Sequence, residues 1–169
     1  QNGTIYLSGD KPGYLMGKVL FADFELTLEY RWNDAETKRT TTKRNAGVMY
    51  HIPAEAKDTL WPQGIQFQIK DNATGDFVLL QNTTLKVDGQ LQGPGKSVVV
   101  KRSAGDEKPS GEWNSIKIVA KGQTVEQYLN NVLVNKGEQS SVSKGRILFQ
   151  YEGCPIEFRN IKLTRIKKK

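Results

Sequence analysis

Apolar and polar residues alternate along most of this chain, and the alternation predicts β-strands. The longest such run is Phe24 to Trp32, where every second residue is aromatic or aliphatic and the others are charged or polar. A second clean run, Gly64 to Asp71, places Ile65, Phe67 and Ile69 on one face. Because successive side chains of a strand point to opposite faces, each run predicts a strand with one face in a core.

Turn signals separate these runs. Gly122-Gln123 and Asn130-Asn131 each predict a tight turn between two strands, because Gly and Asn tolerate positive φ. A segment between two prolines, residues 54–61, is predicted to hold one helical turn. Residues 82–113 are the most loop-like region and form a predicted lid or rim, with one strand at Ser97 to Arg102.

About twelve short strands with almost no helix predict an all-β sandwich, in which two sheets pack their apolar faces together. No internal repeat and no change of composition marks a boundary, so we expect a single domain over residues 1–169. In such a sandwich one curved sheet has a concave outer face. Polar side chains from several strands converge there, and we expect the functional site on that face.

The stretch Gly145 to Leu163 is predicted to form a hairpin around Gly153 and Pro155. Its apolar residues would face the core from both strands. Its outer face would carry an amide, two carboxylates and a guanidinium, from Gln150, Glu152, Glu157 and Arg159. Past Asn160 the apolar phase slips by one residue, which predicts a bulge or a change of neighbouring strand.

The chain carries a formal net charge of +7. Nucleic-acid binders usually cluster their basic residues and interleave them with aromatic ones. The densest internal group, Lys38, Arg39, Lys43 and Arg44, lies in a Thr-rich loop without aromatics. We therefore expect a solvated basic surface and no nucleic-acid ligand, and a polyanion-binding function would rest on the charge alone.

Composition excludes several classes of protein. One cysteine, Cys154, allows no internal disulfide, and with one histidine it leaves too few ligands for a zinc site. We expect no metal and no other cofactor; Asp71 and Asp76 are expected to cap turns, with a calcium ion near them as the alternative.

No apolar run approaches the roughly 20 residues of a membrane span. Gln1 fits a start from which a leader has been removed, with a cytosolic protein as the alternative, and the sequence leaves protein partners open.

The polar strand faces supply candidate ligand-binding residues. Gln66 with Gln68, and Gln150 with Glu152, are pairs two residues apart, so each pair points to one face. Amides and guanidinium groups hydrogen-bond sugar hydroxyls with donors and acceptors in fixed planes, and aromatic rings stack on sugars. The expected carbohydrate-binding residues are Arg31, Tyr50, Trp61, Gln66, Gln68, Gln150 and Tyr151, whereas Trp32 and Trp113 are expected in the core.

Glu152 and His51 are the candidate acid/base residues, and each has a structural alternative. His51 is the single histidine of the chain and lies on a predicted strand. A structural role, in which its ring is hydrogen-bonded within the fold, is as plausible as a ligand-binding or acid/base role. Glu152 is either a general acid/base or a plain surface carboxylate. Glu157 is expected to form a buried ion pair with Arg159, with Arg31 as the alternative partner.

An ordered set of stretches resembles the 3-keto-disaccharide hydrolase domain family. These stretches are Pro12–Leu15, Asp23–Leu26, Glu29–Trp32, Asn45–Val48, Trp61-Pro62, Gln66–Gln68, Gly75–Phe77, Lys108–Asn114, Tyr128–Asn131 and Gly145–Ile161. The resemblance implies a jelly-roll β-sandwich of the concanavalin A-like lectin/glucanase type and a secreted or periplasmic location. It also implies hydrolysis of glycosides whose sugar carries a 3-keto group.

A 3-keto group acidifies the C2 hydrogen, so elimination followed by hydration can replace direct displacement. That route needs a base for the C2 proton, an acid for the leaving oxygen and donors for the enolate.

This chain departs from the family pattern at three places. The family usually has Glu where this chain has Gln66, and an amide cannot act as a general base. The family often has His after the Gln of the last strand pair, where this chain has Tyr151-Glu152, and its Asn-Ser-Gly is Asn45-Ala-Gly47 here. Two functions therefore remain: a glycoside hydrolase that uses Glu152 or His51, or a non-catalytic carbohydrate-binding module.

Overall fold

The computed structural model describes residues 3–9, 11–33 and 43–167, so part of the basic loop that includes Lys38 and Arg39 lies outside the described residues. The strands are β1 (Ile5–Leu7), β2 (Gly13–Met16), β3 (Phe24–Trp32), β4 (Asn45–Ile52), β5 (Gly64–Lys70), β6 (Phe77–Leu80), β7 (Leu85–Val87), β8 (Gln90–Gln92), β9 (Ser97–Val100), β10 (Asn114–Lys121), β11 (Thr124–Leu129), β12 (Val132–Gly137), β13 (Arg146–Tyr151) and β14 (Ile156–Arg165).

Within the described residues, most strands belong to two antiparallel six-stranded sheets. Sheet A has the order β1-β14-β3-β10-β11-β12, and sheet B has the order β2-β13-β4-β5-β6-β9. Strands β7 and β8 pair with each other in a separate two-stranded sheet. Apolar residues from both large sheets join in one core cluster, which confirms the predicted all-β sandwich.

The alternation of β3 is reproduced in its burial. Phe24, Leu26, Leu28, Tyr30 and Trp32 are buried, and the residues between them are half-buried. Their partners across the core include the apolar face of β5 that the sequence predicted. Trp32 is therefore a core residue as expected.

Both predicted tight turns are present. Lys121 pairs with Thr124 across Gly122, whose φ is 58°. Asn130 and Asn131 have φ values of 49° and 67°, which is the left-handed geometry that a two-residue hairpin needs. Residues 54–61 hold no helix, however; the backbone N–H of Ala56 donates to Pro53 O at 3.1 Å in a single turn.

The predicted hairpin at Gly145 to Leu163 is wrong. β13 pairs with β2 and β4 in sheet B, whereas β14 pairs with β1 and β3 in sheet A. The turn around Gly153 carries the chain from one sheet to the other, so Gln150 and Glu152 lie on a different outer face from Glu157 and Arg159. Alternation could not reveal this, because both a hairpin and a crossover keep their apolar residues facing the core.

The predicted bulge near Asn160 is confirmed. The register between β14 and β3 shifts between Arg159 and Lys162, and Asn160 has a φ of 52°. After the shift Ile161 is exposed, while Leu163 packs against the core. The extra residue thus restores the inward apolar phase of the strand.

The loop-like region contains the predicted strand as β9, and also the β7–β8 hairpin, which the sequence did not predict. Its last part, residues 101–113, is fastened to the end of the sandwich by Glu107. That carboxylate accepts hydrogen bonds from Tyr30 Oη at 2.7 Å, Trp32 Nε1 at 2.9 Å and Thr74 Oγ1 at 3.2 Å. The region is therefore an anchored rim.

Candidate functional site

Strand register brings amide side chains together on the outer face of sheet B. Gly47 of β4 pairs with Gln150 of β13 on one side and with Gln68 of β5 on the other. Met49 pairs with Gln66 in the next row. Glu152 follows β13 and donates its backbone N–H to Asn45 O at 3.1 Å, so its side chain stands beside that of Asn45.

Five of these side chains form a continuous hydrogen-bonded series, which we call the amide relay: Gln66, Gln68, Asn45, Glu152 and Gln150. Gln66 Nε2 donates to Gln68 Oε1 at 2.5 Å, and Gln68 Nε2 donates to Asn45 Oδ1 at 2.6 Å. Asn45 Nδ2 donates to Glu152 Oε2 at 2.7 Å. Gln150 Nε2 donates to the other carboxylate oxygen, Oε1, at 2.7 Å.

The charge of Glu152 fixes the direction of the relay. An ionised carboxylate only accepts hydrogen bonds, so Asn45 must turn its NH₂ group toward it. The oxygen of Asn45 then faces Gln68, and the oxygen of Gln68 faces Gln66. The terminal oxygens, Gln66 Oε1 and Gln150 Oε1, are buried and have no hydrogen-bond partner among the described residues.

A pocket of about 300 Å³ opens over this patch. Its lining comprises Asn45, Trp61, Gln66, Gln68, Lys70, Ala73, Asp76, Val78, Leu80, Ser97, Val99 and Glu152. Trp61 is 44% exposed, so its indole is free to contact a bound molecule. The pocket thus combines a polar floor, two carboxyl groups, one ammonium group and an exposed aromatic ring, which suits a polar ligand with apolar faces.

Gly47 is needed for the relay. A Cβ at this position would lie 2.6 Å from both Cδ and Nε2 of Gln66, and Gln66 is only 3% exposed and cannot swing away freely. We expect Gly47→Ala to displace Gln66 from Gln68 and to lower the free energy of unfolding by about 1–3 kcal/mol. Urea unfolding would measure this. Gly13→Ala is the matched control, because a Cβ there meets nothing within 4 Å; equal losses in both variants would contradict the prediction.

Arg31 does not reach this pocket, and the prediction that it shares a surface with Gln66 is wrong. It belongs to β3 in sheet A, where its Nε donates to Glu157 Oε2 at 2.6 Å. Glu157 therefore pairs with Arg31, and Arg159 pairs with Glu29 at 2.8 Å; all four side chains keep partial exposure, so neither pair is buried.

Trp113 was predicted to lie in the core, and this prediction is wrong. The residue lies beside Arg31 and Arg159 on the outer face of sheet A. It is half-buried under two guanidinium groups, with Arg159 at 3.7 Å and Arg31 at 4.7 Å from its ring centroid. The cations cover the ring and shield it from solvent.

Tyr50 and Tyr151 were predicted to stack on a sugar, and the structure places both rings in the core. Tyr50 is fully buried, and its hydroxyl accepts a hydrogen bond from Gln127 Nε2 at 3.0 Å. Burial raises the pKa of Tyr50 well above its ordinary value. The hydroxyl of Tyr151 donates to Gly9 O. Both residues alternate with the core-facing residues of their strands, so the sequence pattern alone predicts that their side chains point into the core.

His51 is also absent from the pocket. It has a φ of 53°, which turns its ring away from the outer face and into contact with Phe24 and Tyr50, at centroid distances of 5.6 and 5.5 Å. Its Nε2 lies 3.1 Å from Ala22 O. Burial lowers the pKa of His51, and a hydrogen bond to the Ala22 backbone partly offsets this. The structural alternative for His51 is the one that the contacts support.

The lowered pKa of His51 makes a pH prediction for stability. Because the unfolded state binds this proton more tightly, His51 stabilises the fold above about pH 6.5, and that contribution is lost as the pH falls. We expect the free energy of unfolding to fall by at most about 1.4 kcal/mol per pH unit through this group. The fall should be smaller in His51→Asn, because Asn does not titrate, and Asn is chosen because it tolerates the positive φ of this position. Urea unfolding at pH 7 and pH 5 measures the difference; parallel pH dependences would show that His51 does not titrate on unfolding.

Sequence reasoning did not assign Asn45, Asp76 or Lys70 to this site, although all three line the pocket. Asn45 joins the two halves of the relay, and its signal in the sequence was its place in the Asn45-Ala-Gly47 stretch that resembles the family's Asn-Ser-Gly. Asp76 was expected to cap a turn, and its Oδ1 does accept a hydrogen bond from the backbone N–H of Arg102 at 2.8 Å, but Asp76 also lines the pocket. Asp71 instead forms an exposed ion pair with Arg44 at 3.2 Å.

Among the described residues, no group of three or more His, Cys, Asp or Glu side chains is arranged to hold a metal ion. Within the same ranges no helix has the length and apolar character needed to cross a membrane.

Several solved structures share this fold at low sequence identity. A candidate glycosyl hydrolase from Parabacteroides distasonis has a TM-score of 0.69 at 17% identity, over 99% of this chain and 82% of that one. Carbohydrate-binding module CBM66 from Bacillus subtilis has a TM-score of 0.65 at 15% identity, over 94% and 84%. Sheep galectin-11 has a TM-score of 0.52 at 12% identity, over 93% and 100%. These similarities confirm the predicted concanavalin A-like jelly roll.

No curated protein sequence is a significant match to this chain. The profile of a family described as a 3-keto-alpha-glucoside-1,2-lyase-like domain matches residues 1–164. This match confirms the resemblance that the ordered motifs indicated. The protein therefore belongs to the 3-keto-alpha-glucoside-1,2-lyase-like domain family.

Proposed function

We propose that the pocket on sheet B binds a carbohydrate and cleaves 3-keto-glycosides, with Glu152 as the base that removes the C2 proton. One observation carries the proposal: the amide relay holds the carboxylate of Glu152 at the edge of a pocket of about 300 Å³, which is the size of a small-molecule site. Family membership supplies the substrate class. Export from the cytoplasm is part of the proposal and rests on the family resemblance.

The relay suits Glu152 to the role of a base. Two N–H donors hold the carboxylate in a fixed position, with its charge unpaired by any cation in the described residues. Positioning of this kind lowers the cost of bringing a base to a reacting proton.

The reaction has two stages. Glu152 takes the C2 proton, the electron pair of the C2–H bond forms the enolate of the 3-keto group, and the enolate expels the C1 oxygen as an alcohol once that oxygen receives a proton. Addition of water across the resulting C1–C2 double bond then gives the free 3-keto sugar. Lys70 lines the pocket and supplies a positive charge for the enolate, and Trp61 supplies a surface for the sugar ring.

Cleavage of a synthetic 3-keto-glucoside tests the proposal, with the ordinary glucoside as control and both anomers of each. We expect release of the alcohol from the keto substrate alone, because the C2 proton of an ordinary glucoside is not acidic enough for elimination. Cleavage of both substrates at similar rates would contradict elimination.

A non-catalytic carbohydrate-binding function is the second candidate, and Gln66 favours it. An amide occupies the position at which the family usually has a carboxylate, so one ionisable group is missing from the wall of the pocket. This function predicts sugar binding without turnover on either substrate. In that case Gln66→Glu distinguishes a disabled enzyme, which would regain activity, from a dedicated binding module, which would not.

A further inference from the structure

Asp76 faces Glu152 from the opposite side of the pocket. It precedes β6, and its carbonyl oxygen accepts a hydrogen bond from the backbone N–H of Gln68 at 3.1 Å. Strands β4 and β5 lie between β6 and β13, so the backbones that carry the two carboxyl groups are three strand spacings apart, about 14 Å. Both side chains line the same pocket, which leaves space for one sugar ring and its leaving oxygen between them.

The environments of the two carboxyl groups differ. Both oxygens of Glu152 accept hydrogen bonds from side-chain amides. Asp76 is only 6% exposed, its Oδ1 accepts one backbone N–H, and its Oδ2 has no hydrogen-bond partner among the described residues. Burial raises the pKa of Asp76, although the Arg102 N–H and the charges of Arg102, Lys101 and Lys70 oppose the increase.

We propose that Asp76 is the general acid that protonates the leaving oxygen while Glu152 acts as the base; this inference rests on the proposed function. Two carboxyl groups in one site take different roles when one is held by hydrogen bonds to its charged form and the other is buried. The free Oδ2 is the atom that would carry the proton. The hydrogen bond from the Arg102 N–H to Oδ1 holds the carboxyl group in the pocket lining and leaves Oδ2 available for the leaving oxygen.

The step balances without an outside reagent. As the enolate collapses and the C1–O bond breaks, the electron pair of that bond goes to the leaving oxygen, which takes the proton from Asp76 Oδ2. The products are the unsaturated keto sugar, the alcohol, ionised Asp76 and protonated Glu152. Addition of water then requires the reverse assignments, in which Asp76 accepts a proton from water and Glu152 returns its proton to C2.

The test uses Asp76→Asn with two substrates that differ only in their leaving group. Asn keeps an oxygen for the Arg102 N–H but has no proton to give. A methyl 3-keto-glucoside needs an acid because methoxide is a poor leaving group, whereas a 4-nitrophenyl 3-keto-glucoside does not. We expect the variant to cleave the methyl substrate about 10²- to 10⁴-fold more slowly than wild type and to cleave the nitrophenyl substrate at a rate close to wild type.

Two controls accompany this measurement. Asp71→Asn changes a nearby aspartate outside the pocket and should leave both rates unchanged. The thermal midpoint of Asp76→Asn should be close to that of wild type, because Asn has nearly the same volume and its side-chain oxygen can keep the hydrogen bond from the Arg102 N–H. Wild-type cleavage of the methyl substrate should also decline as Asp76 ionises at rising pH, and the variant should lack that decline.

The outcomes separate the two proposals. Equal losses on both substrates would show that Asp76 acts only through structure, and no loss on either would show that it has no catalytic part; either result overturns this inference and leaves the proposed function standing. A wild-type protein that cleaves neither substrate overturns the proposed function, and the assignment of Asp76 with it.

Discussion

Glu152→Gln should reduce cleavage of a 3-keto-glucoside by about 10²- to 10⁴-fold while sugar binding is retained. An amide cannot take the C2 proton, but it can occupy the place of the carboxylate. Each amide of the relay can rotate by 180° to exchange its oxygen and nitrogen, so Asn45 and Gln68 can adjust when residue 152 becomes a donor. The loss should therefore appear in the rate and not in the affinity.

Two measurements check this result. Initial rates give the loss of activity, and calorimetry gives the affinity of the variant for the same sugar. In deuterated water, wild type should introduce deuterium at C2 of the keto sugar, and the variant should do so much more slowly. Glu157→Gln is the matched control, because the carboxylate of Glu157 pairs with Arg31 on sheet A. A comparable loss of activity in that variant would contradict a catalytic site on sheet B.

The largest expected effect on stability comes from Glu107. Its carboxylate is the acceptor for the hydroxyl of Tyr30, which is fully buried, and for the indole N–H of Trp32, which is nearly so. Glu107→Ala leaves both donors without this partner and releases the rim from the end of the sandwich. We expect the free energy of unfolding to fall by about 2–4 kcal/mol, since each unpaired buried donor costs about 1–3 kcal/mol.

Urea unfolding of Glu107→Ala, Glu107→Gln and wild type tests this prediction. The amide of Gln keeps an oxygen that can accept from both donors, so Glu107→Gln should lose less than half as much stability as Glu107→Ala. Tyr30→Phe removes one donor, and adding it to Glu107→Ala should cost less than it does in wild type. Additive losses would show that the Tyr30 hydroxyl does not depend on Glu107.

Sequence periodicity was sufficient for the sandwich and for most strands. The alternation in β3 and β5 reflects burial of one face, and burial is the property that the sequence encodes most directly. The turns at Gly122 and Asn130 were predictable because their residues permit positive φ, which few others do. The bulge after Asn160 was visible as a slip of the apolar phase.

Pairing between strands was not predictable from alternation. β13 and β14 present their apolar residues to the same core from two different sheets, and a hairpin would have shown the same pattern. That single error merged the outer faces of both sheets into one expected surface. As a result Arg31, Glu157 and Arg159 were grouped with Gln150 and Glu152, which the structure places on the other side of the molecule.

The candidate site was predicted in part. Gln66, Gln68, Gln150, Glu152 and Trp61 lie in or beside the pocket because they stand on the polar phase of their strands or in the loop above it. His51 departs from the alternation of its strand because its φ is positive, and the sequence alone does not predict a positive φ for a histidine. Asp76 lies in the site because the order of strands in sheet B places it at the same pocket as Glu152. Its local sequence is typical of a turn and does not predict this position.

The most direct test of a carbohydrate site on sheet B is an NMR titration of the Glu152→Gln variant, which is expected to bind without turnover, with a 3-keto-glucoside. The chain has three tryptophans, whose indole N–H groups lie in different places: Trp61 in the pocket, Trp113 on sheet A and Trp32 against Glu107. We predict shifts of the Trp61 indole and of the side-chain amides of Asn45, Gln66 and Gln68, with Trp113 unchanged. Shifts at Trp113 with none at Trp61 or at these amides would contradict a site on sheet B.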